Sequence, residues 1–204
     1  MYKRQLNDKF TTLNENELKN ICIEVISNYQ EINKIKVDKY GGVNRGRINE
    51  YNSWSHFLKA EIEKSRKYFK QTKNLKYIKI CNGLFDYVDK IKEPSPCLVW
   101  SDFSFDNIII SKDNHLAAFI DFEGMMSGDS LLGIGYILSH SSPTHPFTRL
   151  ILEQYNIDRD VEVKKTLDFY AVFRYIRLSP YTTFNTPNNT IRAVSYTHLR
   201  AHET

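Results

Sequence analysis

Apolar residues recur along this chain with two different periods, and the change of period divides it. Leu18, Ile21, Cys22, Val25, Ile26 and Tyr29 fall at three- and four-residue steps, which places them on one face of a helix. Asn14-x-x-Glu17, just ahead of them, has the form of a capping box with Asn in place of the usual Ser or Thr. Similar spacing predicts a second helix from Ser53 to about Lys70, burying Trp54, Phe57, Leu58 and Ile62. A third runs over Leu75 to Lys92, with Ile78, Cys81, Leu84, Phe85 and Val88 inside. Glu93-Pro94-Ser95-Pro96 ends it, because proline lacks an N–H and restricts the residue before it. The period then shortens. Cys97-Leu98-Val99, Ile108-Ile109-Ile110 and Leu116-Ala117-Ala118-Phe119-Ile120 are short apolar runs, partly β-branched or aromatic, and predict strands. Lys112-Asp113-Asn114-His115 supplies turn chemistry, so Ile108 to Ile120 reads as a β-hairpin. Helical spacing returns at Leu131 to Ser139, Phe147 to Tyr155 and Val161 to Leu178, with a loop over Ser141 to Pro146. The expected class is α+β, mainly helical, with one small hairpin between two helical stretches.

The polar residues at the strand ends carry the candidate chemistry. Trp100-Ser101-Asp102-Phe103-Ser104-Phe105-Asp106-Asn107 places Asp102 and Asn107 five apart in a loop, and Asp121-Phe122-Glu123 begins fourteen residues after Asn107. Two carboxylates and a carboxamide converging there make an oxygen site for a hard cation, with an acid–base group beside it. Phosphoryl transfer needs such a set: a metal to neutralise phosphate charge and a carboxylate to orient or accept the acceptor's proton. Each residue also has a plainer reading. Asp102 and Asp106 can cap nearby backbone amides, Asn107 can close a turn, and Asp121 can mark where a strand surfaces. For Asp106 the plain reading is preferred. Phe103, Phe105 and Phe122 are read as packing anchors of the loop.

The stretch from Trp100 to Asn107, with Asp121 after the next hairpin, resembles the catalytic motif of the aminoglycoside phosphotransferase and choline kinase superfamily, a branch of the protein-kinase-like fold. That motif is His-x-Asp-x-x-x-x-Asn followed by a metal-binding Asp. Gly128-Asp129-Ser130-Leu131 resembles the family's Gly-Asp-Pro segment. Trp100 stands where the family has His, and Gly133 where an Asp is usual. The resemblance implies that Asp102 is the catalytic base and that Asn107 and Asp121 hold Mg²⁺ and the phosphates of ATP. Glu123 would be a weaker metal ligand or an outer group that orients the loop. The acceptor it implies is a small-molecule hydroxyl: an antibiotic, a choline-like amine, a sugar or an amino alcohol.

A glycine-rich loop with a strand lysine, the family's nucleotide grip, does not precede the catalytic loop. Residues 1–193 are therefore expected to be the C-terminal lobe of such a fold, without its N-lobe and inactive as a fragment. Gly41-Gly42-Val43-Asn44-Arg45-Gly46 is expected to be an ordinary loop, resembling the family's Gly-rich turn before a Ser-Trp helix. Residues 194–204 resemble a translated sequencing-library adapter and are expected to be non-native, so His198 and His202 are not read as a zinc pair. Two other readings stay open: a non-catalytic, pseudokinase-like fragment, and a metal-dependent phosphohydrolase.

Composition narrows the setting. The 204 residues carry a net charge of +4, and the basic run Lys64, Arg66, Lys67, Lys70, Lys73, Lys76, Lys79 is read as a solvated helix face rather than a nucleic-acid surface. No apolar run approaches the roughly 20 residues of a membrane span, and the first residues lack the apolar stretch of a signal peptide. Cys22, Cys81 and Cys97 lie far apart in apolar settings and read as reduced thiols of a cytoplasmic protein. The expected partners are thus a nucleotide and a small molecule, with no nucleic acid or membrane. Oligomeric state has no signature in the sequence.

Overall fold

The computed structural model describes residues 4–44, 47–48, 51–142 and 144–180. Its strands are β1 (Arg4–Gln5), β2 (Gly41–Asn44), β3 (Arg47–Ile48), β4 (Cys97–Trp100), β5 (Ile108–Ile110), β6 (Leu116–Phe119) and β7 (Met125–Gly128). Its helices are α1 (Glu15–Asn33), α2 (Trp54–Gln71), α3 (Leu75–Tyr87), α4 (Leu131–His140), α5 (Pro146–Gln154) and α6 (Val161–Leu178). Residues 194–204 lie outside the described residues.

Local chemistry accounts for most helix ends. At α1 the Asn14 side chain accepts from the Glu17 amide at 3.0 Å, and the Glu17 carboxylate accepts from the Asn14 amide at 2.8 Å. That closes the expected capping box and satisfies two otherwise orphaned donors. All six apolar residues predicted for this helix are buried. Ser53 caps α2 through the His56 amide, and Asp160 caps α6 through the amides of Glu162 and Val163. The third helix differs from expectation: α3 stops at Tyr87, and a tighter 3₁₀ turn covers Val88–Lys90. Its buried stripe is Ile80, Cys81, Leu84 and Val88, with Ile78 and Phe85 half-buried at the edge.

Two small antiparallel sheets hold the middle of the chain. One has the order β1-β5-β6, with Ile108 opposite Phe119, and contains the predicted hairpin. The other has the order β3-β2-β7-β4, with Trp100 opposite Met125 and Cys97 opposite Gly128. This second sheet corrects the expectation for the glycine cluster. Gly41–Asn44 is a strand between β3 and β7, not an ordinary loop. Its pairing is tertiary: Gly41 and Gly42 lie opposite Ser127 and Met126. Two glycines, one at φ 128°, leave no apolar alternation to read.

The helical wall behind the sheets is aromatic. Trp54 stacks on Phe57 with centroids 4.9 Å apart, and Phe169 lies parallel to Phe173 at 6.0 Å. Gly128 lies against the Trp54 ring and Gly135 against Tyr170, where a side chain on either glycine would collide. This close approach lets α4 pack on α6. Part of the predicted basic face is neutralised along α2, where Lys64 pairs with Glu61 and Arg66 with Glu63. Among the described residues no helix is long and apolar enough to cross a membrane.

Candidate functional site

Asp102 leaves β4 into a short loop whose side chains alternate. Phe103 is fully buried, stacked on Tyr29 at 5.0 Å and on Trp100 at 5.4 Å. Phe105 packs edge-on to Phe10 and Phe147. These two rings anchor the loop as expected, whereas Phe122, also expected to pack, is 47% exposed; Asp102 is left at the edge, with its side chain 35% exposed. A 3₁₀ turn over Phe105–Asn107 then swings Asn107 back toward Asp102. The Asn107 Nδ2 donates to Asp102 Oδ2 at 2.8 Å and to the Asp102 carbonyl at 3.0 Å. With the amide nitrogen so engaged, the carboxamide oxygen is the atom left to face a cation. Asp106 is exposed.

Two bonds bring the second segment to this loop. The Ile120 amide donates to the Asn107 carbonyl at 3.0 Å. The Trp100 indole N–H donates to the Asp121 carbonyl at 3.0 Å. Asp121 adopts a left-handed backbone, φ 60° and ψ 67°, which is uncommon for a residue with a side chain and turns the chain sharply here. The Asp121 carboxylate is exposed. Glu123 follows in a 3₁₀ turn over Phe122–Gly124 and is also exposed. The Gly124 carbonyl accepts from the Ser101 amide at 3.3 Å and from the Ser101 hydroxyl. A Cβ on Gly124 would stand 3.2 Å from Asp102 Cβ, so the two loops touch.

A cleft of about 640 Å³ opens beside this contact, lined in part by Gly42, Ser101, Glu123, Gly124, Met126 and Arg177. Among the described residues no three His, Cys, Asp or Glu side chains gather as a metal cluster. Asn107 and Asp121, the two residues expected to hold a metal, both carry oxygen donors. This fits a hard cation that keeps waters and takes its remaining oxygens from a phosphate.

Two arginines of α6 join the site without any motif in the sequence to mark them. Arg174 Nη2 lies 3.3 Å from Asp102 Oδ1, and its guanidinium covers the Tyr136 ring at 5.5 Å from the centroid. Arg177 Nε donates to Glu61 Oε2 at 2.9 Å. Burial raises the Glu61 carboxyl, but hydrogen bonds from Lys64 and Arg177 outweigh it and hold it below its ordinary value. Two arginines three apart in the otherwise apolar and aromatic run from Phe169 to Leu178 are the available signal.

A family model described as the phosphotransferase enzyme family matches residues 4–171. The chain belongs to the phosphotransferase enzyme family. Three solved structures show the same fold. The crystal structure of aminoglycoside phosphotransferase APH(4)-Ia has a TM-score of 0.69 and 19% identity, covering 98% of this chain and 68% of that one. A thermostable APH(4)-Ia mutant in ternary complex with AMP-PNP and hygromycin B gives 0.68 and 18%, with the same coverage. The gentamicin complex of APH(2″)-IIa gives 0.61 and 15%, again covering 98% and 68%. No match was found among curated protein sequences.

The phosphotransferase's two departures from the family motif have visible consequences. Trp100, in the His position, uses its indole N–H to brace Asp121. At Gly133 a Cβ would stand 2.7 Å from the Trp100 carbonyl and would also strike the Tyr29 hydroxyl, which donates to the Ser130 carbonyl at 2.9 Å. Tyr29 thus occupies the space that a side chain at 133 would need.

Proposed function

We propose that this chain carries the acceptor and metal half of an ATP-dependent phosphotransferase that moves the γ-phosphate to a hydroxyl of a small molecule. The observation that carries this reading is the Asp102 carboxylate, held by Asn107 Nδ2 and packed against Gly124, which lines the cleft and follows the segment that bears Asp121. Family membership supports it, as do the structural neighbours, whose complexes contain AMP-PNP with hygromycin B, or gentamicin.

Asp102 Oδ2 accepts from Asn107 and Oδ1 from Arg174, and each oxygen keeps a second lone pair. An acceptor hydroxyl in the cleft donates to one of these, so that its oxygen is aimed and its proton has a destination as the phosphoryl group transfers. Asn107 Oδ1 and the Asp121 carboxylate would hold Mg²⁺, which neutralises phosphate charge when bound. Glu123 would orient the loop or a metal-bound water. In this reading residues 1–193 act as a C-lobe, so transfer by this chain alone should be slow. The hydrolase alternative is weaker, because two-metal hydrolysis usually draws on more carboxylates than gather here among the described residues.

The test is transfer of label from [γ-³²P]ATP to a panel of small hydroxyl compounds by the wild-type chain and by Asp102→Asn. Labelled acceptor formed by the first and not the second supports the reading. Transfer indifferent to Asp102→Asn, or release of phosphate from simple monoesters without ATP, overturns it.

A further inference from the structure

We propose that the cleft beside Asp102 takes an acceptor bearing an oxyanion, either a carboxylate or a phosphate, and that Arg177 reads it. The word acceptor rests on the phosphotransferase reading; the anion site itself rests on the contacts that follow. Among the described residues, Arg177 and Glu123 are the charged side chains lining the cleft. The Arg177 side chain is 25% exposed, so it is largely withdrawn from water yet reaches the open volume. Its donors are poorly matched. Nε meets Glu61, the buried Tyr136 hydroxyl also interacts with the guanidinium, and Nη1 lies 3.5 Å from the Met126 sulfur, where a thioether is a weak acceptor. Glu61 is itself shared: its other oxygen takes Lys64 at 2.5 Å, so one carboxylate serves two cations.

Asp102, the carboxylate at the reactive edge, is in turn paired with Arg174 from the same helix. A polycationic acceptor entering here would meet two carboxylates already bound to guanidinium groups, with Glu123 remaining. An oxyanion would instead meet a planar donor fork whose present partner on one nitrogen is sulfur, the geometry that favours carboxylate or phosphate. A cleft of about 640 Å³ suits a small hydroxy compound of that kind.

The test is NMR titration of the whole chain, following the amides of Ser101, Gly124 and Met126 and the Arg177 Nε–H. The probes are D-glycerate and glycerol 1-phosphate, with glycerol as the neutral control and neomycin as the polycation. The expected result is binding of one or both anions in the cleft, with glycerol weaker by on the order of tenfold or more. Arg177→Gln should weaken the anions by about tenfold, and Glu61→Gln, which releases Arg177 from its carboxylate, should strengthen them. If Arg177→Gln does not fold by circular dichroism, the Glu61→Gln response decides alone. Neomycin binding the cleft more tightly than either anion overturns the proposal, as does anion affinity unmoved by the substitutions. Anion binding that depends on Arg177, without transfer from [γ-³²P]ATP to any hydroxyl, would support the anion site and count against the phosphotransferase reading alone.

Discussion

Asp102 and Asp129 sit just past opposite ends of one two-stranded ladder. Asp102 follows β4 where Trp100 faces Met125, and Asp129 follows β7 where Gly128 faces Cys97. The surroundings then diverge. Asp102 is partly exposed, holds a carboxamide and a guanidinium, and follows Ser101, which lines the cleft. Asp129 is 8% exposed, accepts from the Leu131 amide at 2.9 Å and from the Tyr170 hydroxyl at 2.7 Å, and Tyr170 in turn accepts from the Trp54 indole at 2.8 Å. One carboxylate stays partly exposed, with spare lone pairs. The other ties β7, α4, α6 and α2 together. Residue type and strand position are shared, so the role follows from what surrounds each group.

The sharpest way to break this contrast is to remove both charges in turn. Asp102→Asn should lower phosphoryl transfer by about 10²–10⁴-fold, the usual contribution of a positioned proton acceptor, with a small change in unfolding free energy. Asp129→Ala should do the reverse to stability. It strands a buried hydroxyl and a backbone amide, at about 1–3 kcal/mol for each unsatisfied group, read by urea denaturation. Equal stability loss in both variants would remove the distinction. Trp100→Phe keeps the ring packing and deletes the donor to the Asp121 carbonyl. About 1 kcal/mol is expected from the lost bond, seen as a several-fold weaker affinity for Mn²⁺·ATP.

The smallest effects are in pH dependence, and the two signs oppose. Burial pushes the Asp129 carboxyl above its ordinary 3.8, against the lowering by the Leu131 and Tyr170 bonds. The folded state therefore holds that proton more tightly, and the stability it adds at low pH is lost as pH rises through the folded pKa. Asp129→Asn should flatten that decline. Glu61 is depressed below its ordinary 4.5, so its contribution is present above 4.5 and lost as pH falls through the folded pKa. Glu61→Gln should flatten that acid-side loss in a series of denaturation curves.

What the sequence makes legible here is what local chemistry decides. The capping box at Asn14, the stripe on α1 and the Ile108–Ile120 hairpin depend on neighbours within a few residues, and all three stand in the structure. The pairing of Gly41-Gly42 with Met126-Ser127 depends on a strand far along the chain, and neither segment has an apolar alternation to announce it. The Trp100–Asn107 segment is legible as a motif, and in the structure Asn107 donates to Asp102. Arg174 and Arg177 were not, because a charge on an apolar helix shows no partner until α6 is packed beside the loop.

The central claim is that Asn107 and Asp121 hold a divalent cation beside Asp102. Its most direct test is paramagnetic broadening of backbone amides on adding Mn²⁺ with ATP. The account predicts broadening centred on Asn107 and Asp121 in the wild-type chain, and its loss in Asp121→Ala. Broadening centred elsewhere, or undiminished in Asp121→Ala, would contradict it.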